Sequence, residues 1–198
     1  MKSVLIFFCA VILTACEGYM NQLTTSFKQR PYNEISRVLQ VKNFNAVSIT
    51  GASSAEITNG VFEVIVKGDS IDLQDLQVSV LNGKLTYDIL QKPIQRFGIK
   101  WNIKVPAIAA VEVSGASKVI IHQFNNQQLI ANISGASTLD AFGMSTQSAE
   151  IDVSGASVAK VNVQKTLAAK VSGASQLIYR GNPTLKTNIS GASTIKQD

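Results

Sequence analysis

A four-residue sequence, SGAS, recurs at nearly even spacing through the second half of the chain. Successive glycines of this array are separated by 20, 20, 18 and 18 residues, and a further copy, TGAS, begins at Thr50. A unit of this length cannot bury an apolar face by itself, so successive copies are expected to stack on one another. The SGAS copies begin at Ser114, Ser134, Ser154, Ser172 and Ser190.

The residues around each SGAS alternate between apolar or small side chains and polar ones. In the copy at Gly155, polar residues such as Asp152 and Lys160 take the even-numbered positions. A period of two is the pattern of a β-strand with one buried face. The alternation predicts that the buried face includes the glycine and the second serine of SGAS, and in this copy it would consist of Val153, Gly155, Ser157, Ala159 and Val161.

Each unit is too long to be a single strand. At about 3.3 Å per residue, a unit would extend for roughly 60 Å, so the chain must turn within it. The polar segments HQFNNQQ, FGMSTQ, NVQK and RGNPT are the predicted turns. Stacking such units about 4.8 Å apart gives the predicted fold class, which is all-β with a parallel β-helix (β-solenoid) of SGAS rungs.

The N-terminal half has a different pattern. Between Gly51 and Gly115 the chain shows alternating segments separated by turn signals, among them the dipeptide NG at 59–60 and at 82–83. This dipeptide favours tight hairpin turns. We therefore expect additional β-hairpin strands here, which would separate the TGAS copy from the repeat array at 107–198.

The repeated glycines and serines are predicted to be structural. Glycine permits backbone angles that a side chain forbids, and it lets a neighbouring segment approach closely. A serine hydroxyl is both donor and acceptor, so the serines are expected to be hydrogen-bonded along the stack or to lie at a corner near water. The structural repeat residues are Gly51, Gly115, Gly135, Gly155, Gly173, Gly191, Ser117, Ser137, Ser157, Ser175 and Ser193.

The chain begins with a leader, MKSVLIFFCAVILTAC, that has the plan of a secretory signal. Its apolar run is too short to span a bilayer as a helix. The ending LTAC resembles the lipobox of bacterial lipoproteins, in which the cysteine is acylated. The resemblance implies lipidation of Cys16 and attachment to a membrane through the lipid. Because Glu17 is not the Asp that favours inner-membrane retention in enteric lipoproteins, it further implies an outer-membrane lipoprotein that faces the periplasm or the cell surface.

The sequence divides into three predicted regions. The signal peptide at 1–15 is followed by a polar tether at 16–37 and by one β domain at 38–198. The tether is predicted because NQLTTSFKQRPYNE shows no sustained period. With 45% hydrophobic and 16% charged residues in 198, the remainder suits one compact domain.

Composition argues against several classes of function. The formal net charge of +5 is dispersed and lacks a basic stripe with stacking aromatic residues, so no nucleic-acid partner is expected. Of the two cysteines, Cys9 would be removed with the signal peptide and Cys16 would remain as a single thiol, so no internal disulfide is expected. The spacing of a Cys/His metal site is absent as well. We expect neither a metal nor another cofactor.

Several longer segments give the chain a family likeness. They are FNAVSITGASSAEI, LNGKLTYDI, IKVPAIAAVEVSGAS, the serial SGAS units and IYRGNPTLKTNISGAST. Through them, the chain from about Val38 to Asp198 resembles the GIN-domain family of putative auto-transporter adhesin heads, a domain of unknown function. The resemblance implies an all-β fold with a β-helical stack and a location in the cell envelope. The family has no established catalytic residues, so none is transferred to this chain.

Serine chemistry is one alternative role for SGAS. A nucleophilic serine requires a base, usually a histidine oriented by an acid. The chain has a single histidine, His122, and many equivalent serines. Because one histidine cannot serve five sites, we expect no catalytic residues.

A carbohydrate-active enzyme on a β-helix, a lyase or glycosidase, is a second alternative. Such enzymes need clustered carboxylates, and Asp140, Glu150 and Asp152 lie near the middle of the array, with Lys160 expected close to Asp140. A solvated face with ordinary cross-strand charge pairs explains these residues as well. Four aromatic residues would form a glycan-stacking shelf, or else fill the core or cover an end of the stack, namely Trp101, Tyr87, Tyr179 and Phe142.

The main functional hypothesis is a non-enzymatic, lipid-anchored protein of the cell envelope that acts as a binding, adhesion or scaffold module. Its expected partners are the membrane, through the lipid anchor, and an envelope protein or glycan. A homo-oligomer formed through exposed rung edges is a further candidate assembly.

Overall fold

Extended strands make up most of the described chain. The computed structural model describes residues 31–90 and 97–198, so the predicted signal peptide, Cys16 and most of the predicted tether lie outside the described residues. A short helix, α1 (Ser70–Gln74), lies between the fourth and fifth strands. The strands of the described residues are β1 (Glu34–Leu39), β2 (Ala46–Ile49), β3 (Ser54–Asn59), β4 (Glu63–Asp69), β5 (Leu76–Leu81), β6 (Lys84–Ile89), β7 (Lys100–Val105), β8 (Ala110–Val113), β9 (Lys118–Ile133), β10 (Thr138–Val153), β11 (Val158–Val171), β12 (Gln176–Arg180), β13 (Thr184–Ile189) and β14 (Thr194–Gln197).

The strands form two walls that enclose one apolar core. Neighbouring strands within the walls run parallel. The first wall contains β7, β3, the first parts of β9, β10 and β11, and then β12 and β14. The second wall contains β6, β2, β8, the last parts of β9, β10 and β11, and then β13. The predicted fold class, an all-β β-solenoid with additional strands in the N-terminal half, is confirmed.

The TGAS copy at Thr50 is part of the stack. The backbone N–H of Ala116 donates to the carbonyl of Gly51 at 2.7 Å, just as that of Ala136 donates to Gly115 at 2.7 Å. Strands β2 and β3 therefore form the rung next to the one at Gly115. The expectation that hairpin strands separate this copy from the array is wrong for the folded chain. The inserted strands pack on the outer side of β2 and β3, and the TGAS corner remains in contact with the SGAS corner at Gly115.

The inserted strands close the N-terminal end of the solenoid. Strands β6 and β7 pair in parallel with β2 and β3, and antiparallel strands follow, with β5 on β6, β4 on β7 and β1 on β4. The NG at 82–83 is the expected hairpin turn between β5 and β6, and both of its residues have positive φ. The NG at 59–60 does not form a hairpin, because β7 lies between β3 and β4.

The sheet includes residues that were predicted to belong to the tether. Strand β1 begins at Glu34 and pairs along its whole length with β4, so the residues from Glu34 to Arg37 belong to the sheet and not to the tether expected at 16–37. This strand is exposed over nearly its whole length. An edge strand of that kind lacks the apolar alternation by which buried strands are recognised.

The turns predicted in HQFNNQQ and FGMSTQ are bends within continuous strands. Strands β9 and β10 each run for 16 residues through these segments, and the pairing between them shifts register next to Gly143. Phe124 and Met144 are buried here at even-numbered positions, so the inward parity switches at the bend. A β-bulge of this kind turns the chain from one wall to the other while the ladder continues. Of the predicted turns, RGNPT is the one that separates two strands, β12 and β13.

The SGAS segments form the other corner of the solenoid, and their glycines do not face the core. Gly155 is exposed and has a φ of 77°, and the corresponding glycines have φ between 71° and 80°. The prediction that Gly155 lies on the buried face is therefore wrong. The left-handed backbone at this position turns the chain between walls, and burial resumes at Ser157.

The second serines form a ladder inside these corners. The hydroxyl of Ser157 donates to the carbonyl of Gly135 at 3.2 Å and accepts from the backbone N–H of Ser137 at 3.3 Å. Ser137, Ser175 and their equivalents in the other rungs repeat this arrangement. Each hydroxyl therefore bridges to the preceding rung and satisfies a buried N–H that would otherwise have no partner. The ladder ends at Ser53, which lies 2.9 Å from the hydroxyl of Tyr87.

Candidate binding surface

The geometry of the SGAS corner does not support nucleophilic chemistry. The ladder serines from Ser53 to Ser175 are buried in the stack, and Ser157 is fully buried. Ser193, in the last rung, is partly exposed. Ser117 and His122 are five positions apart on extended chain, which places their Cα atoms roughly 16 Å apart. That separation is far beyond the hydrogen-bond distance at which a histidine could activate a serine.

The outer face of the first wall carries paired charges. Lys160 lies 3.6 Å from Asp140, as expected, and both side chains are about one-third exposed. The ring of Phe142 lies under the guanidinium of Arg180, 3.9 Å from the ring centroid. These contacts are ordinary cross-strand pairs on a solvated face. A ligand on this face would have to compete with them for the charged groups and the ring.

The aromatic residues do not form a common shelf. Trp101 is buried in the core, with its ring centroid 4.7 Å from that of Tyr87. Tyr179 packs partly buried against the core in the C-terminal part of the stack, and Phe142 is occupied by Arg180. The core-filling interpretation therefore holds for Trp101.

A groove of about 430 Å³ lies on the outer face of the second wall, near its C-terminal end. The side chain of Ala168 is the smallest in the centre of this surface, and longer side chains surround it. Two rows of outward-facing residues cross the rungs here, and adjacent members of each row are paired in the ladder. The rows are Ile130, Glu150, Ala168 and Lys186, and Asn132, Asp152, Lys170 and Asn188.

The groove has an acidic side and a basic side. Glu150 and Asp152 extend from β10, whereas Lys170 and Lys186 extend from the following rungs. None of the ion pairs found among the described residues involves these four side chains. Together with the two flanking amides they present separate donors and acceptors to solvent. A polar ligand with several hydroxyl, amide or charged groups could use them without first breaking an internal pair.

The two carboxylates of the groove are the closest match to the predicted enzyme alternative. Glu150 and Asp152 are two positions apart on one face of β10, which places them about 7 Å apart. Carboxylates of glycosidases are separated by similar distances, but there they flank the scissile bond. Both groups here extend in the same direction from one strand, so they approach a ligand from the same side.

Sequence reasoning identified Glu150 and Asp152 but not the lysines and amides that complete the groove. The missing residues could be found from the repeat spacing. Positions 132, 152, 170 and 188 are separated by 20, 18 and 18 residues, which are the same steps that separate the SGAS glycines from Gly135 to Gly191. Following an outward position through these steps identifies each row. The groove itself depends on the small side chain of Ala168, whose importance appears only when the rows are placed side by side.

Neither a membrane-spanning helix nor a metal cluster is found in the described ranges 31–90 and 97–198. No helix there has the length and hydropathy needed to cross a bilayer. The same residues contain no group of three or more His, Cys, Asp or Glu side chains that could hold a metal ion.

Comparison with known proteins supports the family resemblance. Residues 123–183 match the profile of the family described as "Putative auto-transporter adhesin, head GIN domain". The matched segment runs from within β9 to the turn before β13 and includes three SGAS corners. The predicted resemblance is confirmed over these residues. A search of curated proteins found no match.

The chain is similar to several solved structures, to different degrees. A putative adhesin (BF0245) from Bacteroides fragilis has 19% sequence identity, covers 85% of this chain and 98% of its own, and gives a TM-score of 0.51. A putative lipid binding protein from Parabacteroides distasonis has 14% identity, 84% and 97% coverage and a TM-score of 0.42. A putative adhesin from Parabacteroides merdae has 11% identity, 84% and 96% coverage and a TM-score of 0.43. The first of these supports the fold of the chain.

Proposed function

We propose that this chain is a non-enzymatic binding or adhesion module of the cell envelope, and that it binds its partner through the groove of the second wall. The match of residues 123–183 to the GIN-domain family supports an envelope location and an adhesive role. One solved structure that shares the fold is itself described as a putative adhesin. A solenoid held by backbone ladders provides a rigid surface, which reduces the entropy lost on binding.

The observation that carries this proposal is the set of unpaired charged groups around Ala168. Lys170 and Asp152 are exposed on neighbouring strands of a rigid sheet, and no ion pair among the described residues engages either of them. A ligand that contacts both can form charge-assisted hydrogen bonds, which are roughly twice as strong as neutral ones. A glycan or a polar segment of an envelope protein has the required groups.

Lys170→Glu is expected to weaken partner binding by at least about tenfold, which corresponds to about 1.4 kcal/mol. The change places a third carboxylate beside Asp152 and removes a donor from the basic side of the groove. Binding of the purified chain would be measured on an array of envelope and cell-surface glycans and on immobilised envelope proteins.

Lys118→Glu is the matched control, because it makes the same change of charge on the outer face of the first wall. Lys118 is exposed and its ladder neighbours are Ser54 and Thr138. We expect it to retain binding within about twofold of the unchanged chain. Equal losses in both variants would indicate an effect of net charge and would count against the groove.

We further propose that the β domain is attached to the outer membrane by lipid on Cys16, after removal of residues 1–15. The LTAC lipobox and the apolar leader support this. A single acyl chain binds membranes only marginally, whereas two or more give stable attachment. The ordered β domain would then be held at the membrane by the polar residues between Cys16 and Glu34.

Metabolic labelling with palmitate tests this attachment. Cys16→Ala is expected to abolish labelling, because it removes the sulfur that would carry the lipid. Cys9→Ala is the control, since Cys9 lies within the predicted signal peptide, and it should leave labelling unchanged. Label that survives Cys16→Ala would show that the lipobox is not used.

A carbohydrate-active enzyme remains the second candidate, because Glu150 and Asp152 lie together in the groove. The glycan that binds most tightly on the array would be incubated with the chain and assayed for new reducing ends and for unsaturated products. We expect neither product. Release of product that is lost in Asp152→Asn while binding is retained would favour the enzyme over the binding module.

A further inference from the structure

At the C-terminal end of the solenoid, apolar side chains are exposed whose equivalents in the preceding rung are buried. Leu185 is 42% exposed and Ile189 is 48% exposed, whereas their ladder partners Leu167 and Val171 are 0% and 1% exposed. Ile195, on the other wall of the same rung, is partly buried against the core. Among residues 31–90 and 97–198, no segment covers the apolar core at this rung.

The backbone edges of this rung are also free in the described residues. Strand β13 pairs with β11 alone and β14 with β12 alone, so the outer edge of each strand has unused donors and acceptors. At the opposite end, antiparallel strands β1, β4 and β5 cover the parallel rungs. The two ends consequently differ, and a head-to-tail stack would not continue the rung pattern.

We propose that the last rung binds the last rung of a second copy of this chain, through antiparallel pairing of β13 with β13 and of β14 with β14 about a two-fold axis. Such an interface is self-complementary, which is the usual arrangement of homodimers. It pairs both free edges and covers the exposed apolar residues at once. The proposal does not rest on the ligand of the groove, although Lys186 and Asn188 of β13 belong to both surfaces.

The side chains of β13 fit one register of this pairing. With Thr187 opposite Thr187 of the second copy, Leu185 lies opposite Ile189, and Lys186 lies opposite Asn188. Inward residues then meet inward residues, so the apolar core continues across the axis. Shifting the register by two residues in one direction would place Lys186 opposite its own copy, and like charges directly opposite are destabilising.

Strand β14 independently favours the same arrangement. With Ile195 opposite Ile195 of the second copy, Lys196 lies opposite Thr194, and the neighbouring register would again oppose two lysines. The central residues of the two registers, Thr187 and Ile195, are each four residues from Gly191 at the corner. A single two-fold axis that crosses the core four residues from the corner can therefore pass through both the Thr187 pair and the Ile195 pair.

Cross-linking in the intact envelope tests this pairing with the full chain. Thr187→Cys would place two thiols on the axis, with Cα atoms about 4.5 to 5.5 Å apart, within the range of a disulfide. After mild oxidation, we expect a band of twice the chain mass on a non-reducing gel. The unchanged chain measures the background from Cys9 and Cys16.

Thr184→Cys is the matched control on the same strand. Thr184 is exposed like Thr187, but in this register the two copies of residue 184 lie roughly 20 Å apart. We expect at least fivefold less cross-linked dimer for it than for Thr187→Cys. Equal cross-linking of both variants, no dimer from Thr187→Cys, or a product with a different mass would overturn the proposal.

A pair of charge changes tests the register by a second route. Asn188→Asp would oppose an acid to Lys186 of the second copy and is expected to increase the dimer fraction at least twofold in sedimentation of the detergent-solubilised chain. Asn188→Lys would oppose two lysines and should decrease it by a similar factor. Asn188 is exposed, so neither change disturbs the core. Shifts in the same direction, or no shift in either variant, would contradict the register.

Discussion

Gly155→Ala is expected to destabilise the chain by about 3 kcal/mol or more. A Cβ atom at this position would lie 2.4 Å from the carbonyl oxygen of Gly135 in the adjacent rung, a distance that real Cβ atoms do not adopt. The contact is with backbone, so a side-chain rotation cannot relieve it. The rungs would have to move apart, and the hydrogen bond from Ala156 to Gly135, 2.8 Å long, would be lost with them.

Gly51→Ala separates the steric cause from the conformational one. Gly51 has a φ of 76°, almost the same as that of Gly155 at 77°, but a Cβ atom there would have no neighbour within 4 Å. The control should therefore show only the cost of left-handed backbone, about 1 to 2 kcal/mol. Both variants would be compared by urea unfolding. If their losses agreed within about 0.5 kcal/mol, close stacking of the corners would not explain the repeated glycine.

The period and the spacing of the repeat were sufficient to predict the β-solenoid. Alternating burial on either side of each SGAS gives strands with one buried face, and units of 18 to 20 residues are long enough to form one turn of a solenoid. The serine ladder follows the expected pairing because a buried hydroxyl at a repeated position meets the same backbone groups in every rung.

The position of the glycine could not be obtained from parity. Gly155 falls on the inward parity, but its positive φ interrupts the extended chain, so the strict alternation does not apply at the corner. The bends in β9 and β10 were missed for a related reason. A bulge shifts the parity by one residue, and Phe124 and Met144 then enter the core from positions that the alternation assigns to solvent.

The placement of the first rung depends on long-range pairing. Ser53 and Ser117 are 64 residues apart and become neighbours only because the inserted strands pack on the outer side of β2 and β3. No local pattern between them indicates whether the insertion lies within the stack or outside it. Only the similarity of TGAS to SGAS suggests that the two corners are equivalent.

The candidate binding surface was predicted in part. The acidic residues Glu150 and Asp152 were apparent as outward positions, but their partners lie one and two rungs away, where steps of 18 and 20 residues must be followed together. The aromatic residues were less informative about binding. The residues around Trp101 alternate between polar and apolar side chains, as in a strand with one buried face, and the structure places Trp101 in the core.

Hydrogen exchange at the backbone amides of the corners tests most directly whether SGAS is a stacked structural element. Each rung donates from the alanine of its SGAS to the glycine carbonyl of the preceding rung at 2.7 to 2.8 Å. Amides whose hydrogen bonds break only when the stack opens should exchange at least about a thousandfold more slowly than those of an unstructured peptide.

Ala116 gives the most informative measurement, because the carbonyl that accepts its hydrogen bond belongs to Gly51 in the distant first copy. We predict that Ala116 and Ala156 are protected as strongly as the interior amides of β10. Exchange at either amide within about tenfold of the unstructured rate would show that the SGAS segments are open loops and would contradict the stacked corner.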